Sequence, residues 1–257
     1  MDNRIRDRRR SVTRQKGRRR SSLVLVALLV LAALGAFLWL RSSDVFAVRE
    51  ITATATQSVS KEDVAEVTSV AVGENLLKLS TQEIEQALLA LPYVRCAKVY
   101  REFPNTLTVR LEEYEPVARL KGAGDVTWLI ADDGRVLEKA KAPRGINLPL
   151  IVSPTSIAAV AGDSVLSTVT GALLLIDLLG VEELSEGLPK VSQIDLASSG
   201  GLTLSLEGGA ELRLGEPIRL DDKLRVAATM MKQHLRSEEQ IEYVDVSVPE
   251  RVAVKAK

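Results

Sequence analysis

Hydrophobic side chains follow three different patterns along the chain, and each pattern predicts a different kind of structure. Residues 23–40 are apolar throughout and carry no charged side chain. Residues 46–120 combine short β-branched runs with apolar residues at helical spacing, and the rest consists largely of alternating runs typical of strands. We therefore predict a single-pass membrane protein with a small α+β domain followed by a mostly β domain with two helices.

The apolar run is long enough to cross a bilayer as a helix. At about 1.5 Å per residue, its eighteen residues span roughly 27 Å, close to the roughly 30 Å hydrocarbon core of a membrane. We predict a transmembrane helix over residues 23–41, closed by Arg41. The side chains expected to anchor it in the membrane are Leu23, Leu28, Leu31, Leu34, Phe37, Trp39 and Leu40.

The distribution of charge predicts how this helix is oriented. The formal net charge of the 257 residues is zero, yet the first twenty residues hold ten basic and two acidic side chains. Basic residues next to a span stay in the cytoplasm. Residues 1–22 are therefore expected to form a basic cytoplasmic tail that meets anionic lipid, and the acidic remainder is expected to lie outside, as in a type II membrane protein.

A cleaved signal peptide is the alternative to a permanent anchor. Val45–Ala47 would serve as an exit site, leaving an exported soluble protein that starts at Val48, and Arg18–Arg20 faintly resembles a twin-arginine export signal. Signal peptides have apolar regions of about 7–15 residues, so the longer run favours an uncleaved anchor.

Helix caps, turns and periodicity predict the elements beyond the span. Ser60 and Ser80 are typical N-caps of two helices, and Pro104-Asn105 is a typical turn between two strands, which together predict a β-α-α-β-β order. Asp132-Asp133-Gly134 predicts a hairpin turn rather than a metal or acid/base site. The remaining predicted elements are a helix over 164–179, strands over 191–196, 202–206 and 210–214, a helix over 219–236 and a terminal hairpin of 241–248 and 251–257.

Composition argues against an enzyme. The chain has one cysteine, Cys96, and one histidine, His234, so it lacks the residues for Ser-His-Asp or Cys-His catalysis and for a structural zinc site. No phosphate-binding loop is present. Aromatic residues make up only 4% of the chain, which disfavours stacking on single-stranded nucleic acid. We expect no catalytic site, cofactor, metal, small-molecule substrate or nucleic-acid partner.

The order of several short motifs resembles a known family. Five segments follow one another with the spacing of a POTRA domain of the FtsQ/DivIB cell-division proteins: residues 46–51, 72–77, 91–99, 101–107 and 115–118. The resemblance implies a POTRA domain over 45–118 and the family's β domain over 119–257. It also implies a bacterial cytoplasmic-membrane protein, concentrated at the division septum.

The same resemblance implies a non-enzymatic divisome adaptor that binds FtsB- and FtsL-type bitopic proteins. In the family, the last strand of the β domain and the helix before it hold FtsB, and the POTRA domain helps recruitment to the septum. The residues carried over are Tyr243, Val244, Asp245, Arg251, Val252, Ala253, Val254 and Lys255. This last segment carries no aromatic side chain, unlike better-known members.

Two other interpretations of the terminal hairpin stay open. Lysines on an edge strand normally discourage pairing, so the edge could be protected and bind nothing; alternatively, Arg251 and Lys255 select an acidic partner strand.

An exported or anchored POTRA-type chaperone outside division is the alternative function.

Overall fold

A membrane-length helix begins the part of the chain that the structure describes. The computed structural model describes residues 24–41, 43–54, 56–141, 147–235 and 241–256, so the predicted tail and Leu23 lie outside it. Helix α1, Val24–Arg41, has a mean hydropathy of 2.4, and none of it is buried against the protein. Among the described residues it is the one helix long and apolar enough to cross a membrane.

The described chain divides into two compact units. The first holds α1 together with residues 43–54, 60–87 and 97–110. The second holds residues 56–59, 88–96 and the described residues from 111 onward.

A three-stranded sheet with two helices follows α1 and has the predicted β-α-α-β-β order. Strand β1 pairs in parallel with β3, and the strand order is β1-β3-β2. Parallel neighbours cannot be joined by a tight turn, so the chain between them is used for helices. Ser60 Oγ accepts the Asp63 amide at 3.0 Å and Ser80 Oγ the Glu83 amide at 3.4 Å, which confirms both caps. The elements are β1 Glu50–Ala53, α2 Lys61–Thr68, α3 Thr81–Leu89, β2 Val94–Glu102 and β3 Thr106–Glu113.

The second unit is built on a long mixed sheet. Its described part has nine strands in the order β12-β11-β10-β9-β8-β7-β4-β5-β6. The strands are β4 Ala118–Lys121, β5 Thr127–Ile130, β6 Val136–Lys139, β7 Leu150–Val152, β8 Val191–Leu196, β9 Leu202–Leu206, β10 Glu211–Gly215, β11 Ile241–Asp245 and β12 Ala253–Ala256. This confirms the predicted mostly β architecture.

Two long helices supply the crossovers that this sheet requires. Strand β7 is parallel to β8, and β10 is parallel to β11. Helix α4, Leu166–Leu179, makes the first connection, and α6, Leu220–Leu235, makes the second. Their apolar faces share one core with the strands, in which Val169, Leu224, Ile194, Leu204 and Leu212 are fully buried. The one-turn helix α5, Glu182–Ser185, is too short for periodicity to predict.

The β5–β6 turn confirms the structural interpretation of the paired aspartates. Asp133 accepts the Arg135 amide at 3.0 Å and the Tyr114 hydroxyl at 2.6 Å, while Asp132 forms an ion pair with Arg95. Gly134 has a φ of +80°, and a Cβ there would lie 2.8 Å from the Leu166 backbone, so both backbone conformation and space require glycine.

The terminal hairpin departs from the prediction in the length of its first strand. Alternation over residues 241–248 predicts that Val244, Val246 and Val248 share one face. Val244 and Val246 are buried, but Val248 is 51% exposed because β11 ends at Asp245. The Asp245 carboxylate accepts the Ser247 amide at 2.9 Å. This local bond turns the chain out of the sheet.

Glu113 provides a test of the second unit's stability. Its carboxylate accepts the amides of Gln57, Ser58 and Val59 at 3.2, 2.8 and 2.7 Å. Burial by itself raises the pKa of this carboxyl, but the hydrogen bonds outweigh it and the pKa lies below its ordinary value of 4.5. The stabilisation is therefore present above pH 4.5 and is lost as the pH falls through the lowered pKa.

We expect Glu113→Gln to lower the free energy of unfolding by about 1–3 kcal/mol at neutral pH. The difference from the unsubstituted chain should shrink as the pH falls below 4.5. Denaturant unfolding of the full chain in detergent, repeated across this range, measures both. Glu112→Gln, at the exposed neighbouring position, is the control and should change little. A Glu113→Gln deficit that does not depend on pH would contradict the assignment.

Candidate partner-binding edge

Strand β12 forms one end of the described nine-stranded sheet. It pairs with β11 in antiparallel register, with Tyr243 opposite Lys255, Val244 opposite Val254 and Asp245 opposite Ala253. No other described strand lies along its second side. The predicted residues 243–245 and 253–255 are therefore brought together in one hairpin.

The pairing of β11 with β10 determines which backbone groups of β12 face the open edge. The Val246 amide donates to the Arg213 carbonyl of β10 at 2.9 Å. Backbone groups alternate in direction along a strand, so those of Val244 also face β10, and those of Tyr243 and Asp245 face β12. Their partners Lys255 and Ala253 consequently bond inward. The N–H and C=O of Val254 point to the open edge.

Side chains of the hairpin are divided between the core and the surface. Val244 is only 1% exposed, so it supports the sheet from within and its side chain is not available to a partner. Val252 and Val254 are half-buried and pack against the same core. Arg251, Ala253 and Lys255 are exposed.

The charges along the hairpin are largely paired with neighbouring strands. The Lys255 ammonium lies 2.7 Å from the Glu242 carboxylate, and this hydrogen bond raises the pKa of Lys255. The Arg213 guanidinium lies 4.1 Å from the centre of the Tyr243 ring. Lys255 is thus directed along the sheet surface toward its own neighbour, which sequence alone did not indicate.

An exposed ion-pair network fixes the loop that leads into β12. Arg219 bonds Asp222 and Glu250, each at 2.9 Å, and it adopts a φ of +53°. The hydrogen bond from Arg219 lowers the pKa of Glu250. The sequence does not indicate this network, because Arg219 and Glu250 lie 31 residues apart along the chain.

Lys223 holds the crossover helix to the end of β10. Its side chain is only 5% exposed, and its ammonium donates to the carbonyls of Leu214 and Glu216, both at 2.8 Å. Burial lowers the pKa of Lys223. A sequence signal for this role exists, since Lys223 falls on the same helical face as buried Leu220 and Ala227.

The remaining points are the position of the predicted membrane-anchor residues and the possibility of a metal site. The membrane-anchor residues from Leu28 to Leu40 all lie on α1, and Leu23 precedes the described residues. Within the described ranges, no group of three or more His, Cys, Asp or Glu side chains could hold a metal ion.

Comparison with known families decides what kind of protein carries this edge. A family model described as "POTRA domain, FtsQ-type" matches residues 46–114, and one described as "Cell division protein FtsQ/DivIB, C-terminal" matches residues 118–247. The second match alone covers more than half of the chain. The chain belongs to the FtsQ/DivIB family of cell-division proteins. The resemblance stated from the motifs is confirmed.

Curated FtsQ proteins from several bacteria are similar over most of the chain. "Cell division protein FtsQ" of Anaeromyxobacter sp. (strain K) is 32% identical over 228 residues, covering 84% of this chain and 76% of the relative. The same-named protein of Mycobacteroides abscessus is 30% identical over 234 residues, covering 91% and 69%. That of Syntrophotalea carbinolica is 25% identical over 236 residues, covering 91% and 82%.

The FtsQ/DivIB match includes most of the nine-stranded sheet but not its last strand. The matched segment ends at residue 247, after β11, whereas β12 covers Ala253–Ala256. Family membership therefore supports a role in division and the sheet architecture. The residues of the open edge are argued from this chain's own geometry.

We expect Lys223→Met to destabilise the second unit by about 1–3 kcal/mol, because the buried Leu214 carbonyl and the partly buried Glu216 carbonyl lose their donor. The midpoint of thermal unfolding, followed by circular dichroism on the full chain in detergent, measures this loss. Lys232→Met on the same helix is the control: methionine keeps an aliphatic chain over Gly187, and the exposed pair of Lys232 with Glu186 at 3.0 Å is of a kind that contributes about 0–1 kcal/mol. Equal midpoints for the two variants would show that the Lys223 bonds are not stabilising.

Proposed function

We propose that this chain is a non-enzymatic adaptor of the divisome that binds FtsB- and FtsL-type proteins by adding one of their strands to β12. It acts from the bacterial cytoplasmic membrane at the division septum, with its N-terminus in the cytoplasm and its two units outside. The observation that carries the proposal is the outward-facing backbone of Val254 on the open edge of the sheet.

Strand addition needs unpaired main-chain groups and side chains that read the incoming segment. The Val254 N–H and C=O supply the first. Val252 and Val254 supply a half-buried apolar strip, and exposed Arg251 supplies a positive charge. An exposed lysine on an edge strand usually hinders pairing with other strands. Lys255 hinders it less, because its ammonium is already paired with the Glu242 carboxylate.

The expected partner segment is extended, apolar at alternate positions and acidic where it meets Arg251, since the Lys255 ammonium is already paired with Glu242. Single-span partners share the membrane plane with α1, which raises their effective concentration at this edge. A modest strand interaction is therefore sufficient to hold the complex together.

The alternative of a POTRA-type chaperone outside division is less well supported. The family matches cover both the POTRA domain and the FtsQ/DivIB C-terminal domain. The absence of an enzymatic role is supported by the scarcity of histidine and cysteine in the sequence.

The main test separates the backbone of β12 from its side chains. Val254→Pro removes the outward N–H while leaving the inward bonds of Ala253 and Lys255, and Val254→Ala trims the side chain but keeps the N–H. We expect Val254→Pro to abolish co-purification with FtsB- and FtsL-type partners from membranes, and Val254→Ala to retain most of it. Circular dichroism establishes that both variants fold. A folded Val254→Pro chain that still captures the partners would refute strand addition at β12.

Charge reversal tests the expected acidic partner. We expect Arg251→Glu to weaken partner binding by about two- to tenfold, chiefly through slower association that becomes less sensitive to salt. Lys121→Glu is the matched control, because β4 lies six strands away from β12 in the sheet, or about 29 Å. Binding kinetics at two salt concentrations measure the effect. Equal effects of the two reversals would indicate a general field rather than a local contact.

A further inference from the structure

The last turn of α1 is bonded directly to the first unit by Asn75. The Asn75 side-chain amide donates to the carbonyls of Leu40 at 3.3 Å and Ser43 at 3.0 Å. Its own oxygen accepts the Leu77 amide at 2.9 Å. Asn75 is only 9% exposed. A residue more than thirty positions away thus bonds the Leu40 carbonyl in the last turn of α1 and the Ser43 carbonyl just beyond it, which places Asn75 and Leu77 beside the end of the predicted span.

The β2–β3 hairpin tip lies at the same end of the unit. The Leu76 amide donates to the Phe46 carbonyl at 2.8 Å, and the Arg49 amide donates to the Asn105 carbonyl at 2.9 Å. The rings of Phe46 and Phe103 meet edge to face, with their centres 5.8 Å apart. Phe46 follows Arg41 by five residues, so Phe103 also lies close to the end of the span.

A groove opens between these elements, and we call it the juxtamembrane groove. Three of its large side chains are solvent-exposed in the absence of a bilayer: Phe103 by 58%, Tyr100 by 47% and Leu77 by 36%. Arg101 at its margin donates to the Leu79 carbonyl at 2.7 Å. The groove is lined by Leu76, Leu77, Thr81, Val99, Tyr100, Arg101 and Phe103.

The position and chemistry of this groove suit one occupant. Exposed clusters of large apolar side chains mark contact surfaces, and aromatic side chains are enriched where hydrocarbon gives way to headgroups. Leu76 and Leu77 of the groove directly follow Asn75, which is bonded to the last turn of α1, so the bilayer surface is the nearest apolar phase. We propose that the juxtamembrane groove binds the headgroup region of the outer leaflet, with Phe103, Tyr100 and Leu77 inserted among the phospholipids.

Charge around the groove indicates which lipid property is recognised. Arg101 is followed by Glu102, and Lys78 lies near Glu74, with all four side chains exposed. The exposed Arg110 guanidinium also lies 5.3 Å from the centre of the Tyr100 ring, so three basic and two acidic side chains surround the groove. Burial of the three exposed apolar side chains carries the binding, and the cations add attraction to anionic lipid. A purely zwitterionic bilayer should be sufficient.

The test places an environment-sensitive nitrobenzoxadiazole label on the full chain in phosphatidylcholine nanodiscs that contain a lipid spin-labelled near its headgroup. The labelled variants are Phe103→Cys, Leu77→Cys and Lys98→Cys, each combined with Cys96→Ser. Lys98 is exposed on β2, about 16 Å back from the turn that contains Phe103. We expect labels at 77 and 103 to be quenched about threefold more than the label at 98, because interfacial segments insert only about 5–10 Å.

Leu77→Cys keeps Phe103 in place, so the test does not depend on the Phe103 variant folding. Adding Phe103→Ser to the Leu77→Cys chain should reduce quenching at 77. Quenching at 77 and 103 no greater than at 98 would overturn the proposal and leave a protein partner as the groove's occupant. The nanodiscs hold only this chain and lipid, so the outcome is independent of strand addition at β12.

Discussion

The parallel pairing of β10 with β11 determines where the open edge of the sheet lies. Parallel neighbours need a long crossover, and α6 provides it while burying Leu224 and Ala227 in the core. Strand β11 then continues into the antiparallel strand β12, which acquires only one described neighbour. Lys223 fixes the start of this crossover to the carbonyl end of β10. The residues that close the core and those that leave an edge open therefore belong to one connected arrangement.

Local elements were predictable because their signals are local. The caps at Ser60 and Ser80, the turn at Gly134 and the apolar spacing of α4 and α6 each lie within one short segment. The order of strands is different, because it depends on pairings between distant segments such as β4 with β7. No periodicity indicates which parallel neighbour a strand will select, and the family resemblance supplied the architecture without the register.

The sequence predicted where the candidate edge lies, but it did not predict the contacts that its side chains make. Alternation correctly grouped Val244 with Val246 as core residues, yet it could not show that Asp245 would turn the chain outward before Val248. The pairing of Lys255 with Glu242 requires the register of two strands, which only the folded sheet defines. Side chains that look alike in the sequence consequently differ in what they can offer a partner.

The bond between Asn75 and the end of α1 also has a mechanical meaning. The Asn75 amide bonds the Leu40 carbonyl in the last turn of α1 and the Ser43 carbonyl just beyond it, so it ties the helix end to the segment that follows. A rotation of α1 about its own axis carries Asn75 around with it, and the loop that contains Asn75 must follow. Whatever fixes the rotation of α1 about its axis therefore also fixes the direction in which the rest of the first unit faces.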